Sequence, residues 1–224
     1  MKRQNVLVVG ASRGIGLEFV RQYRADGARV VATARSDEGL AAIEALGARA
    51  LRLDVARLDS TAGLAWQLDG ESFDTAIVCA GVFGPRLPGL QAPTEAQFDT
   101  VMHTNVLGPM RVIPQFVDSL TPGARLVVLS SRLGSIGART HADGGLYRAS
   151  KAALNSVLKD TAISLGDQAV CVALHPGWVQ TDMGGAGADL TVEHSVTTMR
   201  STIADLVPSH SGHFLDHDGT PIPW

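Results

Sequence analysis

Six short apolar runs recur along the chain, at residues 6–9, 29–34, 50–53, 75–80, 125–130 and 169–174. They are rich in Val, Ile and Leu and do not alternate with polar positions. Strands buried on both faces read this way, which is the pattern of a parallel sheet. Helical periodicity fills the gaps. Residues 14–26 place Ile15, Phe19 and Tyr23 on one stripe, with charged side chains elsewhere. Ser36 is placed to cap a helix over 37–46. Residues 144–165 form a long helical stretch, and 212–215 reads as a last short strand. Alternating strands and helices predict an α/β fold, a doubly wound parallel sheet sandwiched between two helical layers. With no repeat, linker or low-complexity tract, residues 1–224 are expected to form one domain.

Composition narrows the classes of function. The 224 residues are 45% hydrophobic and 18% charged, enough apolar material for a full core. A net charge of −3 gives no reason to expect nucleic acid or an anionic membrane as a partner. No apolar run approaches bilayer length. Met1-Lys2-Arg3-Gln4-Asn5 resembles the start of a signal peptide, but Gly10, Arg13 and Gly14 interrupt the short run behind it, so secretion is not expected. Cys79 and Cys171 both lie within apolar runs, where a buried thiol is favoured over a disulfide. The default expectation is a cytoplasmic protein.

Gly10-Ala11-Ser12-Arg13-Gly14-Ile15-Gly16 directly follows the first strand and opens the first helix. Glycines permit the sharp turn and let backbone N–H groups approach a pyrophosphate, and the helix N-terminus adds positive partial charge. The second strand ends at Thr33-Ala34-Arg35. A site for NAD usually offers an acidic residue there to hold the ribose 2′-hydroxyl. Here Arg35 and Arg13 are placed instead to reach a 2′-phosphate, so NADP(H) is expected over NAD(H). Asp54, followed by Val55, comes just after the third strand. It reads either as an acceptor for the adenine or as a turn cap.

Tyr147 and Lys151 lie one helical turn apart, on one helix face. A cation about 4 Å from a phenol, at an effective dielectric near 20, contributes about 4 kcal/mol. That would bring the phenol from about 10 to about 7, where it serves as a general acid or base. The expectation is that Lys151 lowers the Tyr147 pKa in this way.

Together these motifs resemble the short-chain dehydrogenase/reductase family, across nearly the whole chain, with a Rossmann-type fold. Gly10, Gly14 and Gly16 match its cofactor turn, with Val9 in place of the usual Thr. Cys79-Ala80-Gly81 matches the end of its Asn-Asn-Ala-Gly motif without the two asparagines. Ser130-Ser131, Tyr147-x-x-x-Lys151 and Pro176-Gly177-Trp178-Val179-Gln180-Thr181 match its later motifs. Within the family, Ser130 to Ile136 and the ending Asp218 to Trp224 look most like the C-factor and sniffer-like carbonyl reductases.

The resemblance implies hydride transfer between NADP(H) and a small carbonyl or alcohol. Tyr147 would be the acid/base and Ser131 would orient the carbonyl. Lys151 would also bind the nicotinamide ribose. Asn105 would position a water that relays protons to Lys151, although Gly108-Pro109 makes a simple helix kink the alternative. Ala80 and Gly81 would floor the cofactor site, and Pro176, Gly177, Val179 and Thr181 would contact its nicotinamide end. A homodimer or homotetramer is implied, pairing the helices around Asn105 and Tyr147. Ser131 precedes Tyr147 by sixteen residues, a longer gap than is usual, so Ser131 and Ser135 both stand as candidates and Ser131 is chosen for directly following the strand. A regulatory protein that binds the dinucleotide without turnover is the alternative from another class, and a complete set of Asn105, Ser131, Tyr147 and Lys151 favours the enzyme.

Two features lie outside the motifs. His210, His213 and His217, with Asp216 and Asp218, suggest a metal site, but they span a loop and a strand instead of one helical face. No metal is expected. Residues 184–188, Gly-Gly-Ala-Gly-Ala, read equally as a mobile lid or an ordinary surface loop.

Overall fold

Val6, Leu7, Val8 and Val9 are wholly buried. Leu7 and Val9 join one apolar cluster, Val6 and Val8 another. Successive side chains of a strand point to opposite faces, so a strand without a polar face needs cover on both. The computed structural model, which describes residues 4–224, has seven strands. They are β1 (Asn5–Val9), β2 (Arg29–Ala34), β3 (Arg49–Arg52), β4 (Phe73–Val78), β5 (Leu120–Leu129), β6 (Ala169–His175) and β7 (His213–Asp216). All but one residue is buried in β1 and in β6. Met1, Lys2 and Arg3, read above as part of a signal-like start, lie outside the described residues.

The helices are α1 (Gly14–Ala25), α2 (Asp37–Ala45), α3 (Leu58–Thr61), α4 (Leu64–Gln67), α5 (Glu95–Met102), α6 (Gly108–Val112), α7 (Gly145–Leu165) and α8 (Val192–Ala204). Phe19, Tyr23, Ile43, Met199 and Ile203 of α1, α2 and α8 cover one face of the sheet. Leu64, Val112, Leu154 and Leu158 of α4, α6 and α7 cover the other. The predicted cap of α2 is present, with Ser36 Oγ accepting from Gly39 N.

Every strand pairs in parallel with its neighbours, in the order β3-β2-β1-β4-β5-β6-β7. The order reverses between β1 and β4. Connections after these two strands run to opposite sides, which opens a crevice at their C-terminal ends. β4 stops short of the predicted end at residue 80. The N–H groups of Cys79 and Ala80 both turn to Val9 O as the chain peels into that crevice.

Candidate active site

The crevice is a cleft of about 480 Å³ that runs from Arg35 and Asp54 at one end to Tyr147 and Lys151 at the other. At its centre the glycine turn presents bare backbone. Gly10 has φ +88° and Gly14 has φ +54°, a region that side chains rarely allow. A Cβ on Gly16 would stand 2.1 Å from Gly10 O, and one on Gly10 would stand 2.7 Å from Ala80 N. The buried Thr33 hydroxyl, which the sequence reading did not single out, accepts from Gly10 N and holds the turn. Ser12, Arg13, Ile15, Val55, Ala80, Gly81, Pro176 and Thr181 line the same cleft. A floor stripped of side chains beside the N-terminus of α1 fits a pyrophosphate, and the cleft's volume suits a dinucleotide-sized ligand.

Both arginines line the cleft. Arg13 Nη1 pairs with Asp182 Oδ2 at 2.5 Å, and Arg35 is exposed at the tip of β2. Asp37 is held by Arg52, which also donates to Arg35 O. Asp54 lines the cleft while its Oδ1 accepts from Ala56 N, so it does cap its turn. Gly177 and Val179 do not line the cleft. Gly177 has φ +82°, and Val179 is buried and bridged to Leu190. They shape the segment that carries Thr181.

At the inner end, α7 presents Tyr147 and Lys151 to the cleft, both nearly fully buried. Ser131 follows β5; its hydroxyl accepts from Leu133 N at 3.2 Å and lies near enough to the Tyr147 phenol to lower its pKa. Ser135 is turned away. Its hydroxyl donates to Pro223 O at 2.5 Å and accepts from Ala138 N at 3.0 Å. Asn105 is wholly buried in a single π-helical turn, residues 103–107, between α5 and α6. Its amide accepts from Val82 N and donates to Val82 O and Ser150 Oγ, each within 2.9 Å. The kink expected from Gly108-Pro109 and a polar role for Asn105 thus coincide. A Cβ on Gly81 would lie 3.4 Å from both Asn105 Oδ1 and Lys151 Nζ. The sequence reading thus collected residues that the fold does bring together.

The ionisation of this group differs from the expectation. Lys151 Nζ donates to Leu129 O at 2.8 Å and lies 5.7 Å from the centre of the Tyr147 ring. Burial pushes the phenol up to about 12, opposed only by the nearby Ser131 hydroxyl. Burial also pulls the Lys151 ammonium down to about 8. Desolvation of both groups outweighs the attraction between a single charge and the phenol. Both cysteines are free thiols, as expected in place of a disulfide; Cys171 is buried, and Cys79 is half-buried, packed against the core and lining the cleft.

Several neighbours escaped the sequence reading. Phe83 stacks on Tyr147 with ring centres 4.5 Å apart, and Arg86 lies over the other ring at 4.4 Å from the Phe83 centre. Met183 Sδ accepts from the Tyr147 hydroxyl at 3.8 Å. The 184–188 segment is pinned at both ends, with Gly184 N donating to Thr181 Oγ1 and Gln180 Nε2 to Ala188 O. No spacing rule links Phe83 to Tyr147, because the loop after β4 meets the first turn of α7 only in the folded chain.

The C-terminal histidines point to separate partners. His210 Nδ1 accepts from Val207 N, His217 Nε2 lies 3.9 Å from Asp216 Oδ1, and His213 is exposed. Among the described residues, no three His, Cys, Asp or Glu side chains converge to hold a metal ion. Nor is any helix among them long and apolar enough to cross a membrane.

Comparison with known proteins agrees with this geometry. Residues 10–204 match the family described as enoyl-(acyl carrier protein) reductase. The C-signal protein of Myxococcus xanthus is 46% identical over 123 residues, 54% of this chain and 74% of that one. A carbonyl reductase of Pseudomonas aeruginosa PAO1, solved in complex with NADP, is 32% identical, covers 100% of both chains and superposes with a TM-score of 0.89. The carbonyl reductase Sniffer of D. melanogaster is 28% identical over 99% of this chain and 100% of its own, with a TM-score of 0.90.

Proposed function

The chain belongs to the short-chain dehydrogenase/reductase family of oxidoreductases, and on that premise we propose that it transfers a hydride between NADP(H) and a small carbonyl or alcohol substrate. The observation that carries the reading is one cleft lined by the glycine turn, Arg13, Arg35, Tyr147 and Lys151, with the Ser131 hydroxyl near enough behind it to lower the Tyr147 pKa. NADP-bound relatives of the same shape support the choice of cofactor.

A reduced nicotinamide supplies the hydride when bound. The residues of the chain do the rest. Gly10, Gly14 and Gly16 clear backbone for the pyrophosphate, with Ser12, Ile15 and the N-terminus of α1 around it. Arg13 and Arg35 take the 2′-phosphate. Asp54 and Val55 border the adenine, and Ala80, Gly81, Pro176 and Thr181 line the path toward the nicotinamide. Ser131 holds the carbonyl oxygen against the Tyr147 hydroxyl. Tyr147 delivers its proton to that oxygen as negative charge develops there. A phenol pushed up to about 12 holds its proton at neutral pH, so it enters the reaction in the protonated form. Lys151 brings the one buried ammonium to the site, and Asn105 fixes the Val82 backbone beside it. The C-signal likeness favours a second reading, a regulatory protein that binds the dinucleotide without turnover.

The test is NADPH oxidation by the purified protein against a panel of aldehydes, ketones and quinones. Turnover of at least one carbonyl is expected. Tight NADPH binding with no turnover across the panel would leave the regulatory reading in its place.

A further inference from the structure

The residues above leave one cation at the site without a task. Arg13 pairs with Asp182, Arg148 pairs with Asp143, and Lys151 bonds to Leu129 O. Arg86 has no ion-pair partner among the described residues. Its one hydrogen bond is a long contact from Nη2 to Met183 O, at 3.4 Å. The side chain is exposed, and its guanidinium rests on an aromatic ring. It lies 4.4 Å from the Phe83 ring centre, and that ring lies 4.5 Å from the ring of Tyr147. The charge thus reaches the phenol through two successive ring contacts.

A second cavity of about 280 Å³ opens at this point, lined by Phe83, Arg86, Leu87, Pro88, Asp143 and Gly144. Three of its walls are apolar and two carry charge. The acidic wall is already engaged. Asp143 Oδ1 accepts from Arg148 Nη2 at 3.0 Å, and this bond holds its carboxyl below the usual range. Arg148 is buried beneath it. Asp143 and Arg148 cancel, so Arg86 sets the sign of the cavity. An unpaired, stacked guanidinium offers a planar fork of donors to a carboxylate.

We infer that Arg86 anchors the substrate by an anionic group, and that the carbonyl substrate is an apolar-bodied aldehyde or ketone bearing a carboxylate. This rests on the reductase reading of Tyr147. The apolar body lies along Phe83, Leu87 and Pro88, the carboxylate meets Arg86, and the carbonyl reaches Tyr147 and Ser131. Arg86 acts on specificity and takes no part in proton or hydride transfer.

The experiment compares benzaldehyde with 3- and 4-carboxybenzaldehyde as NADPH-dependent substrates of the wild type, Arg86→Gln and Arg86→Glu. The wild type is expected to favour a carboxylated aldehyde by at least about tenfold in kcat/KM, mainly through KM, the scale of one charge-assisted hydrogen bond. Arg86→Gln should bring that ratio close to one, and Arg86→Glu should invert it. A wild-type ratio at or below one, or a ratio that Arg86→Gln leaves intact, overturns the inference. A second arm needs no turnover: benzoate and benzamide binding to the same proteins by calorimetry. If no aldehyde is reduced but benzoate binds over benzamide only when Arg86 is present, the reductase reading falls and the anion anchor stands. If benzoate binding ignores Arg86, the anchor falls whatever the activity.

Discussion

Arg13 Nη1 lies 2.5 Å from Asp182 Oδ2 and ties the glycine turn to the segment after β6 across the mouth of the cleft. Both side chains are about three-quarters exposed, at 73% and 75%. Such a pair contributes only about 0–1 kcal/mol, so a phosphate can displace Asp182 from Arg13 at little cost. Arg35, exposed after β2, lines the same cleft, and Arg52 neutralises Asp37, the first acid after the strand tip in sequence.

NADPH should therefore bind at least about tenfold more tightly than NADH, from one or two charge-assisted contacts worth about 1.5–3 kcal/mol each. Arg35→Ala should reduce the preference and hardly touch NADH binding. Asp182→Asn should tighten NADPH more than NADH, because Arg13 then has no competing carboxylate. Fluorescence titration with both cofactors measures all three. Equal wild-type affinities, or a preference for NADH, would refute the 2′-phosphate assignment.

Tyr147→Phe keeps the ring that stacks on Phe83 and removes only the hydroxyl. Folding and NADPH binding should persist, while turnover of any accepted carbonyl falls by about 10²–10⁴-fold. Thermal melts with and without NADPH, run beside steady-state assays, separate the two effects. A variant that retains full activity would remove the tyrosine from the chemistry.

Much of this site is legible in the chain because it rests on local rules. The strand–turn–helix at Gly10 to Gly16, the helical spacing of Tyr147 and Lys151, and the unbroken apolar strands each follow from neighbours in sequence. So does α5, whose Thr94 and Gln97 form a capping box that the reading passed over. The stripe of Val196, Met199 and Ile203 on α8 was equally readable. What was not legible depends on loops meeting in space: Phe83 on Tyr147, Asp182 on Arg13, Ser135 on the chain's last residues. The ionisation of Tyr147 belongs with these. Spacing places the ammonium near the phenol, but only the packed surroundings reveal how strongly both groups are desolvated.

Burial lowers the Lys151 ammonium to about 8, while the Tyr147 phenol stays protonated up to about 12. The buried positive charge is thus present below about pH 8 and lost as the pH rises through that value. The phenol remains a donor throughout. Carbonyl reduction should accordingly decline above about pH 8, with the limb assigned to Lys151, and Lys151→Met should depress activity and abolish the limb. A pH profile of kcat/KM with NADPH held saturating is the check. An unchanged rate well above that pH would show that the ammonium charge is not needed.

Ser131 and Ser135 carry the same hydroxyl four positions apart, yet their partners predict different phenotypes. The Ser131 hydroxyl lowers the pKa of the reacting phenol and also accepts from Leu133 N at 3.2 Å, capping the short turn after β5. Ser131→Ala should cost about 10²–10³-fold in kcat, the scale for losing one preorganised donor to a developing oxyanion, and about 0.5–2 kcal/mol of stability from the lost cap. Ser135 is wholly buried, and its hydroxyl joins Pro223 O to Ala138 N. Ser135→Ala leaves both groups without that partner and should cost about 1–3 kcal/mol of stability, a drop of several degrees in Tm for a chain of this size. Its kcat should stay within a few-fold of wild type. Assays and melts on the two variants decide the matter together. A large loss of kcat in Ser135→Ala with little loss in Ser131→Ala would exchange the two roles, and the substrate would then have to approach from the side of the C-terminal residues.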